Sequence, residues 1–288
     1  MDGLIVSSRY GIYKVYCDGL LYSCKPRGTF RKNKLSPIVG DYVTFNENEF
    51  VIEEIKERKT VLNRPKVANI DQLLIVFSIV EPEFSYYLAF KYLTYANKFG
   101  LDAKIIVTKI DKSGVSQSKI DEIKETFNKL GIKVYFVSNK KGDGLEEVKE
   151  LFKNKISSLL GQSGVGKSSL LNAIDPSYQR NEGEYSFALG RGKHETKETI
   201  LLPYEGGYIA DTPGFSSLDL ELYKEDIAKF FPTFAERSTK CFYTDCLHIS
   251  EPKCEIKQAL ENHMIPQIAY DSYLKLSADA VSYIRRYK

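Results

Sequence analysis

LLGQSGVGKSSLL, residues 159–171, decides how the rest of the chain is read. Gly161, Gly166, Lys167 and Ser168 stand at the spacing G-x-x-x-x-G-K-S, the pattern of a loop that cradles phosphates. Its glycines let successive backbone N–H groups turn inward, and the start of the following helix adds its positive dipole end. Gly161, Gln162, Ser163, Gly164, Val165, Gly166, Lys167, Ser168 and Ser169 are therefore candidate nucleotide-binding residues. Lys167 is expected at the β/γ-phosphates and the Ser168 hydroxyl on Mg²⁺. A turn that only caps a helix is the alternative; the apolar ISSLL before the loop and the helical run after it argue against that. The motif alone does not separate ATPase, GTPase and kinase.

In an ordinary nucleotide-binding domain such a loop follows the first strand. Here a long strand–helix pattern precedes it. LLIVFSIV (73–80), KIIVTK (104–109) and KVYFVS (133–138) read as strands, with helical stretches over 86–99, 119–130 and 145–152. Apolar strands alternating with helices predict a parallel sheet covered by helices. Two of these strands end in groups suited to reading a base: Thr108-Lys109-Ile110-Asp111 and Ser138-Asn139-Lys140. A carboxylate at Asp111 accepts from both guanine N1–H and N2–H₂, a pair that adenine does not offer. The Lys109 stem packs along the base plane. Each motif alone is weak; together, each ending a strand ahead of a P-loop, they predict a G domain whose base-binding half comes first. That is a circular permutation.

Downstream, YIADTPGFSS (208–217) is a short strand ending in Asp211-Thr212-Pro213-Gly214. Asp211 is placed to hold the Mg²⁺ shell and the Gly214 amide to meet a γ-phosphate. LGRGKHETKETILL (189–202) reads as a mobile loop in which Thr196 or Thr199 offers Mg²⁺ a second hydroxyl.

The flanks differ in kind. Residues 1–66 hold five short strand signals, LIVS, IYKVYC, LLYSC, DYVTF and FVIEEI, with Asp18-Gly19 as a two-residue hairpin turn. This predicts a small OB-like barrel, for which an SH3-like barrel gives much the same pattern. Residues 67–220 form the α/β G domain, and residues 221–288 are mainly helical. Within that tail Cys241, Cys246, His248 and Cys254 supply three thiolates and an imidazole, a complete tetrahedral set for one structural Zn²⁺. Five cysteines, an odd number, argue for a reducing compartment over a disulfide framework. Cys17 and Cys24 are expected to be core residues on opposite arms of the first hairpin. MDGLIVSSRY has no basic segment followed by an apolar one, and no apolar run approaches the roughly 20 residues that span a bilayer, so a cytoplasmic protein with no membrane contact is expected.

Net charge is only +3, which leaves any nucleic-acid contact to local patches. KPRGTFRKNK (25–34) is such a patch, with five basic residues and no acid. Lys25, Arg27, Arg31, Lys32 and Lys34 are expected to neutralise RNA phosphates, and Phe30 to offer a stacking face. YIRRYK at 283–288 is a second basic candidate.

RPKVANIDQLLIV, GQSGVGKSSLLNAI, RGKHETKET, IADTPGFSSL and CFYTDCLHISEPKC together resemble the ribosome small subunit-dependent GTPase A family over essentially the whole chain. The resemblance implies a monomeric late-assembly and checkpoint factor that binds the small ribosomal subunit and its rRNA. It hydrolyses GTP to GDP and phosphate slowly alone and faster on the subunit. It also implies Mg²⁺ with the nucleotide, Thr196 as its second hydroxyl ligand, and His194 as the group that positions the attacking water. A glutamine often does that work after the D-x-x-G motif; here the place holds Phe215, which neither donates nor accepts. The family usually writes its base motif with asparagine where this chain has Thr108, so guanine binding is expected to be weaker, with specificity kept by Asp111. Glu195 stands where a threonine is common. Two rival readings are a P-loop kinase, which would leave TKID, SNKK and DTPG unexplained, and a nucleotide-gated RNA-binding module in which hydrolysis is incidental.

Overall fold

The computed structural model describes residues 1–28, 30, 35–63, 66–180, 199–211, 218 and 220–281. Five strands open the chain: β1 (Asp2–Arg9), β2 (Ile12–Cys17), β3 (Leu20–Pro26), β4 (Tyr42–Asn46) and β5 (Val51–Ile55). They close as β1-β2-β3-β5-β4-β1, with β3 and β5 parallel and every other pair antiparallel. This is a five-stranded Greek-key barrel of the OB type. Register irregularities between Ile5 and Ser7 and between Thr44 and Phe45 bend the strands as closure demands. Cys17 pairs with Leu20 across Asp18 (φ 49°) and Gly19 (φ 85°), the two positive φ values of a type I′ turn. Cys17 and Cys24 are both buried. Asp41, fully buried, holds Arg58 at 2.6 Å and accepts from the Ile38 amide, fixing the loop that enters β4.

Phe30 corrects the sequence reading. It is 8% exposed and belongs to the main core, so its ring offers no free stacking face. The Phe30 amide bonds to the Arg27 carbonyl and the Leu35 amide to the Phe30 carbonyl, which holds the Phe30 backbone on both sides. Lys25 and Arg27 are exposed, and Arg27 lies 4.0 Å from Glu53. Arg31, Lys32 and Lys34 lie outside the described residues, as does the 283–288 patch.

A two-stranded ribbon, β6 (Val61–Asn63) with β7 (Lys66–Ala68), links the barrel to the α/β unit. There follow β8 (Gln72–Ser78), α1 (Tyr86–Lys98), β9 (Asp102–Thr108), α2 (Gln117–Asn128), β10 (Val134–Phe136), α3 (Leu145–Phe152) and β11 (Ile156–Leu160). Then come α4 (Lys167–Ile174), α5 (Ser177–Arg180), β12 (Ile200–Tyr204) and β13 (Gly207–Asp211). The order across the sheet is β10-β9-β8-β11-β13-β12, parallel except for the β12–β13 hairpin. β12 continues into barrel strand β1 through the pair Ser7–Ile200.

β8 is buried along its whole length because helices cover both faces. Its odd residues Leu73, Ile75 and Phe77 join the core that includes Phe90 of α1 and Phe127 of α2. Leu74 and Val76 face the opposite core, with Val148 of α3 and Leu170 of α4. Ser85 caps α1 by accepting from the Leu88 amide, and Ser116 caps α2 in the same way with Lys119. β12 is a strand where the sequence reading ended a loop, because Glu205 (φ 42°) and Gly206 (φ 76°) turn it tightly onto β13.

The C-terminal part is helical: α6 (Lys224–Phe230), α7 (Phe234–Ser238), α8 (Glu255–Glu261) and α9 (Gln267–Asp279). It rests on α1. Tyr87 donates to Asp279, the Lys275 ammonium lies 4.5 Å from the Tyr87 ring centroid, and Phe231 stacks on Phe90 at 5.3 Å. No helix among the described residues is long and apolar enough to cross a membrane.

Candidate nucleotide site and metal cluster

The chain runs outward from β8 through β9 to β10, then returns to the middle of the sheet at β11 before building β12 and β13 on the other side. That reversal is a topological switch point, where open α/β sheets leave a crevice beyond the carboxyl ends of their strands. The loop 161–166 leaves β11 there and enters α4. Gly161 must be glycine: a Cβ would lie 2.2 Å from the Val76 carbonyl oxygen. Gly164 (φ 80°) and Gly166 (φ 95°) carry the left-handed turns, and Val165 between them is buried.

Lys167 folds over this loop, donating to the Gly161 and Gln162 carbonyls at 2.6 and 2.7 Å. Burial lowers its pKa, and the charge of Asp211 works against that shift. Asp211 ends β13 opposite Ile200, at the same edge of the sheet. Ser168 and Ser169 are exposed in the first turn of α4. Gly214 lies outside the described residues, and so do Thr212, Pro213, Phe215, His194, Glu195 and Thr196; Thr199 is described and buried.

The parallel register brings the ends of β9 and β10 to this edge as well. Thr108 is fully buried and its hydroxyl donates to the Val165 carbonyl at 2.5 Å. Asn139 donates from Nδ2 to the Gly166 carbonyl at 3.2 Å. Lys109, at φ 63°, reaches the Glu81 carbonyl, and Ser78 at the end of β8 donates to the Pro82 carbonyl at 2.7 Å. Ser138 is buried, accepts from the Lys141 amide and bonds to Asp111, whose pKa it lowers first of all; Lys141 and Lys140 add to that. Asp111 is therefore a carboxylate at neutral pH. The threonine that departs from the usual asparagine thus keeps one contact, and that contact ties the base-side loop to the phosphate loop.

Away from this edge the four ligand atoms of Cys241, Cys246, His248 and Cys254 all lie within 4.8 Å of one another. His248 Nδ1 stands 3.5 Å from Cys241 Sγ and 3.4 Å from Cys254 Sγ. Tetrahedral Zn²⁺ with its usual bond lengths would set such sulfur–nitrogen distances at about 3.5 Å, so the donor set fits that ion. Burial lowers the His248 pKa and keeps the ring neutral, as a ligand must be, while burial raises the Cys254 thiol. Two residues that the spacing did not single out hold the loop: Tyr270 donates to the His248 carbonyl at 2.7 Å and Tyr273 to the Leu247 carbonyl at 2.8 Å. Burial pushes the Glu251 carboxyl upward, but amides of its own residue and of Leu247, Ile249 and Ser250 outweigh that and leave it below its ordinary value. The i, i+3 spacing of Tyr270 and Tyr273 on one helical face was the available signal.

α1 packs on β8 and β9 and against α6 and α9. Its last residue, Lys98, donates to the Leu220 and Glu221 carbonyls at 2.9 and 3.0 Å, and Asn97 donates to Phe230 at 2.8 Å.

Residues 55–221 match the family model described as RsgA GTPase, and residues 2–50 match that of the RsgA N-terminal domain. A relative from Staphylococcus carnosus named small ribosomal subunit biogenesis GTPase RsgA is 41% identical over 99% of each chain. One of the same name from Bacillus subtilis is 39% identical over 96% of this chain and 97% of its own. Among solved structures, YloQ, titled a circularly permuted GTPase, superposes with TM-score 0.80 at 36% identity, covering 96% of this chain and 94% of that one. YjeQ from Thermotoga maritima gives 0.83 at 36% identity, covering 96% and 97%. The chain belongs to the RsgA GTPase family.

Proposed function

We propose that the chain is a GTP hydrolase that binds the small ribosomal subunit and converts GTP to GDP and phosphate during late maturation of that subunit. Its intrinsic rate is low and the subunit raises it. The observation that carries this reading is the meeting of a glycine-built phosphate loop with the Thr108–Asp111 and Ser138–Lys140 loops at one edge of one sheet. The names of the relatives from two organisms support the choice of subunit.

In this reading the Asp111 carboxylate takes guanine N1–H and N2–H₂, the Lys109 stem lies along the base, and Ser138 holds Asp111 in place. The amides of the loop from Gly161 to Ser169 surround the phosphates. Lys167 turns from the loop carbonyls to the β/γ-phosphates, its partly buried site strengthening that attraction. Ser168, Thr196 and Asp211 would hold the Mg²⁺, which would supply positive charge to offset the charge that develops on the phosphates. Gly214 meets the γ-phosphate, and His194 positions water because Phe215 cannot. A slow intrinsic rate follows, and placement of His194 against the water by the bound subunit raises it.

The zinc-type cluster is structural, since protein fills all four positions. Lys25, Arg27, Arg31, Lys32 and Lys34 contact rRNA phosphates. The domains divide as 1–66, 67–220 and 221–288, and the protein works as a monomer in the cytoplasm.

The test is phosphate release from GTP by the full chain with and without purified small subunits, with large subunits and ATP as controls. A rise confined to GTP and small subunits is the expected result. Phe215 favours one other reading, a nucleotide-gated RNA binder with incidental hydrolysis. A hydrolysis-dead variant that leaves the subunit at the normal rate would favour it.

A further inference from the structure

Two side chains from the base-side loops end on consecutive peptide units of the phosphate loop. Thr108 Oγ1 donates to the Val165 carbonyl and Asn139 Nδ2 to the Gly166 carbonyl, which also closes the first turn of α4 by accepting from the Leu170 amide at 2.8 Å. In a planar trans peptide the carbonyl and the following N–H point in opposite directions. Pinning the Val165 carbonyl therefore aims the Gly166 N–H, and pinning the Gly166 carbonyl aims the Lys167 N–H, both away from the base-side loops' donors. These are amides of the phosphate cradle. Thr108 has a single donor, already used, so it cannot serve both carbonyls.

Gly166 sits between the two clamps. A Cβ there would stand 3.3 Å from Asn139 Nδ2 and 3.4 Å from Thr108 Oγ1, so the absence of a side chain admits both. The other end of the amide, Asn139 Oδ1, is buried and has no hydrogen-bond partner among the described residues.

We infer that Asn139 is a positioning residue for nucleotide binding: with Thr108 it fixes the orientation of the two peptide planes that present the Gly166 and Lys167 amides to the phosphates. The inference rests on the nucleotide reading above and adds to it. Recognition of the base and grip on the phosphates share one pair of hydrogen bonds.

The test uses the full chain, with GDP and GTP affinities and GDP release rates for wild type, Asn139→Ala, Asn139→Asp and Thr108→Val. Asn139→Asp keeps the shape but replaces the donor with an acceptor. Both Asn139 variants are expected to weaken GDP and GTP about tenfold, mainly through faster release, while the unfolding midpoint of the nucleotide-free protein moves by no more than about 3 °C. Thr108→Val is expected to do the same, and the double variant Thr108→Val/Asn139→Ala to lose less than the product of the two, since both act on one cradle. Asn139→Ala and Asn139→Asp binding GDP within twofold of wild type would overturn the inference, as would an affinity loss matched by a comparable loss of stability. Wild-type affinities for GDP and ADP separate the two levels of the argument. Equal values would overturn the base reading and this inference with it; a GDP preference with no effect at Asn139 would overturn this inference alone.

Discussion

The nucleotide edge and the metal cluster are built in opposite ways. The four cluster ligands fall between Cys241 and Cys254, on one short loop and the start of α8. The groups at the nucleotide edge come from the ends of β8, β9, β10, β11 and β13, scattered from Ser78 to Asp211. A local cluster can be read from spacing alone, because short loops of fixed length leave few arrangements for four ligands. A distributed site is made by the sheet, since only parallel register puts Thr108, Asn139 and Gly166 within contact. With the cluster read as a zinc site, the local site should depend on that ion for its fold, and the distributed site should keep its fold when a chemical group is removed.

Removing the metal is the sharpest way to break this contrast. Structural zinc contributes about 10 kcal/mol or more of apparent binding energy in small domains. Chelation, or Cys254→Ala, is expected to expose the amides of α8 and of residues 239–254 to hydrogen exchange while those of β8 and β11 stay protected. Uniform loss of protection would show that the two regions fold as one. Lys167→Ala tests the other side: it should cut GTP hydrolysis by about 10²–10³-fold, the scale of losing one preorganised electrostatic contact, with unchanged circular dichroism. A variant that misfolds instead would place Lys167 among the structural residues. Lys98→Ala is the smallest change. It removes two hydrogen bonds between α1 and the chain at Leu220 and Glu221, and should cost about 1 kcal/mol of stability by denaturant titration. Its larger interest is in coupling, since α1 packs on both the sheet and the C-terminal helices: under the proposed function, any difference in subunit affinity between the GTP- and GDP-bound states should shrink in Lys98→Ala.

The same contrast explains what the sequence disclosed. All five barrel strands, the β8–β11 pattern and the cluster ligands were legible, because alternation, apolar runs and cysteine spacing act over a few residues. The permutation was legible too, but only by combining TKID, SNKK and the P-loop, each weak alone. Other features depended on contacts distant in sequence. The Thr108 hydroxyl finds its acceptor 57 positions away. Phe30 lies in a basic stretch with no periodicity, so nothing local distinguished an inward ring from a stacking face; the barrel core decided it. β12 was hidden in a charged loop sequence, although Glu205-Gly206 before an apolar run was a turn signal that could have revealed it. Lys98 carried no signal at all, since its acceptors are main-chain carbonyls 122 and 123 positions away in sequence.

The central claim is that the base-reading half of the site precedes its phosphate loop and centres on Asp111. The most direct measurement is the affinity of wild type and Asp111→Asn for GDP and for xanthosine diphosphate, in the full chain. Xanthine carries a carbonyl where guanine carries its 2-amino group, so exchanging a carboxylate acceptor for an amide donor should invert the preference. The account predicts a loss of GDP affinity of about 10²-fold or more in the variant, with xanthosine diphosphate becoming the tighter ligand. An Asp111→Asn protein that still prefers GDP would contradict it, and would place the base somewhere other than the edge formed by β9 and β10.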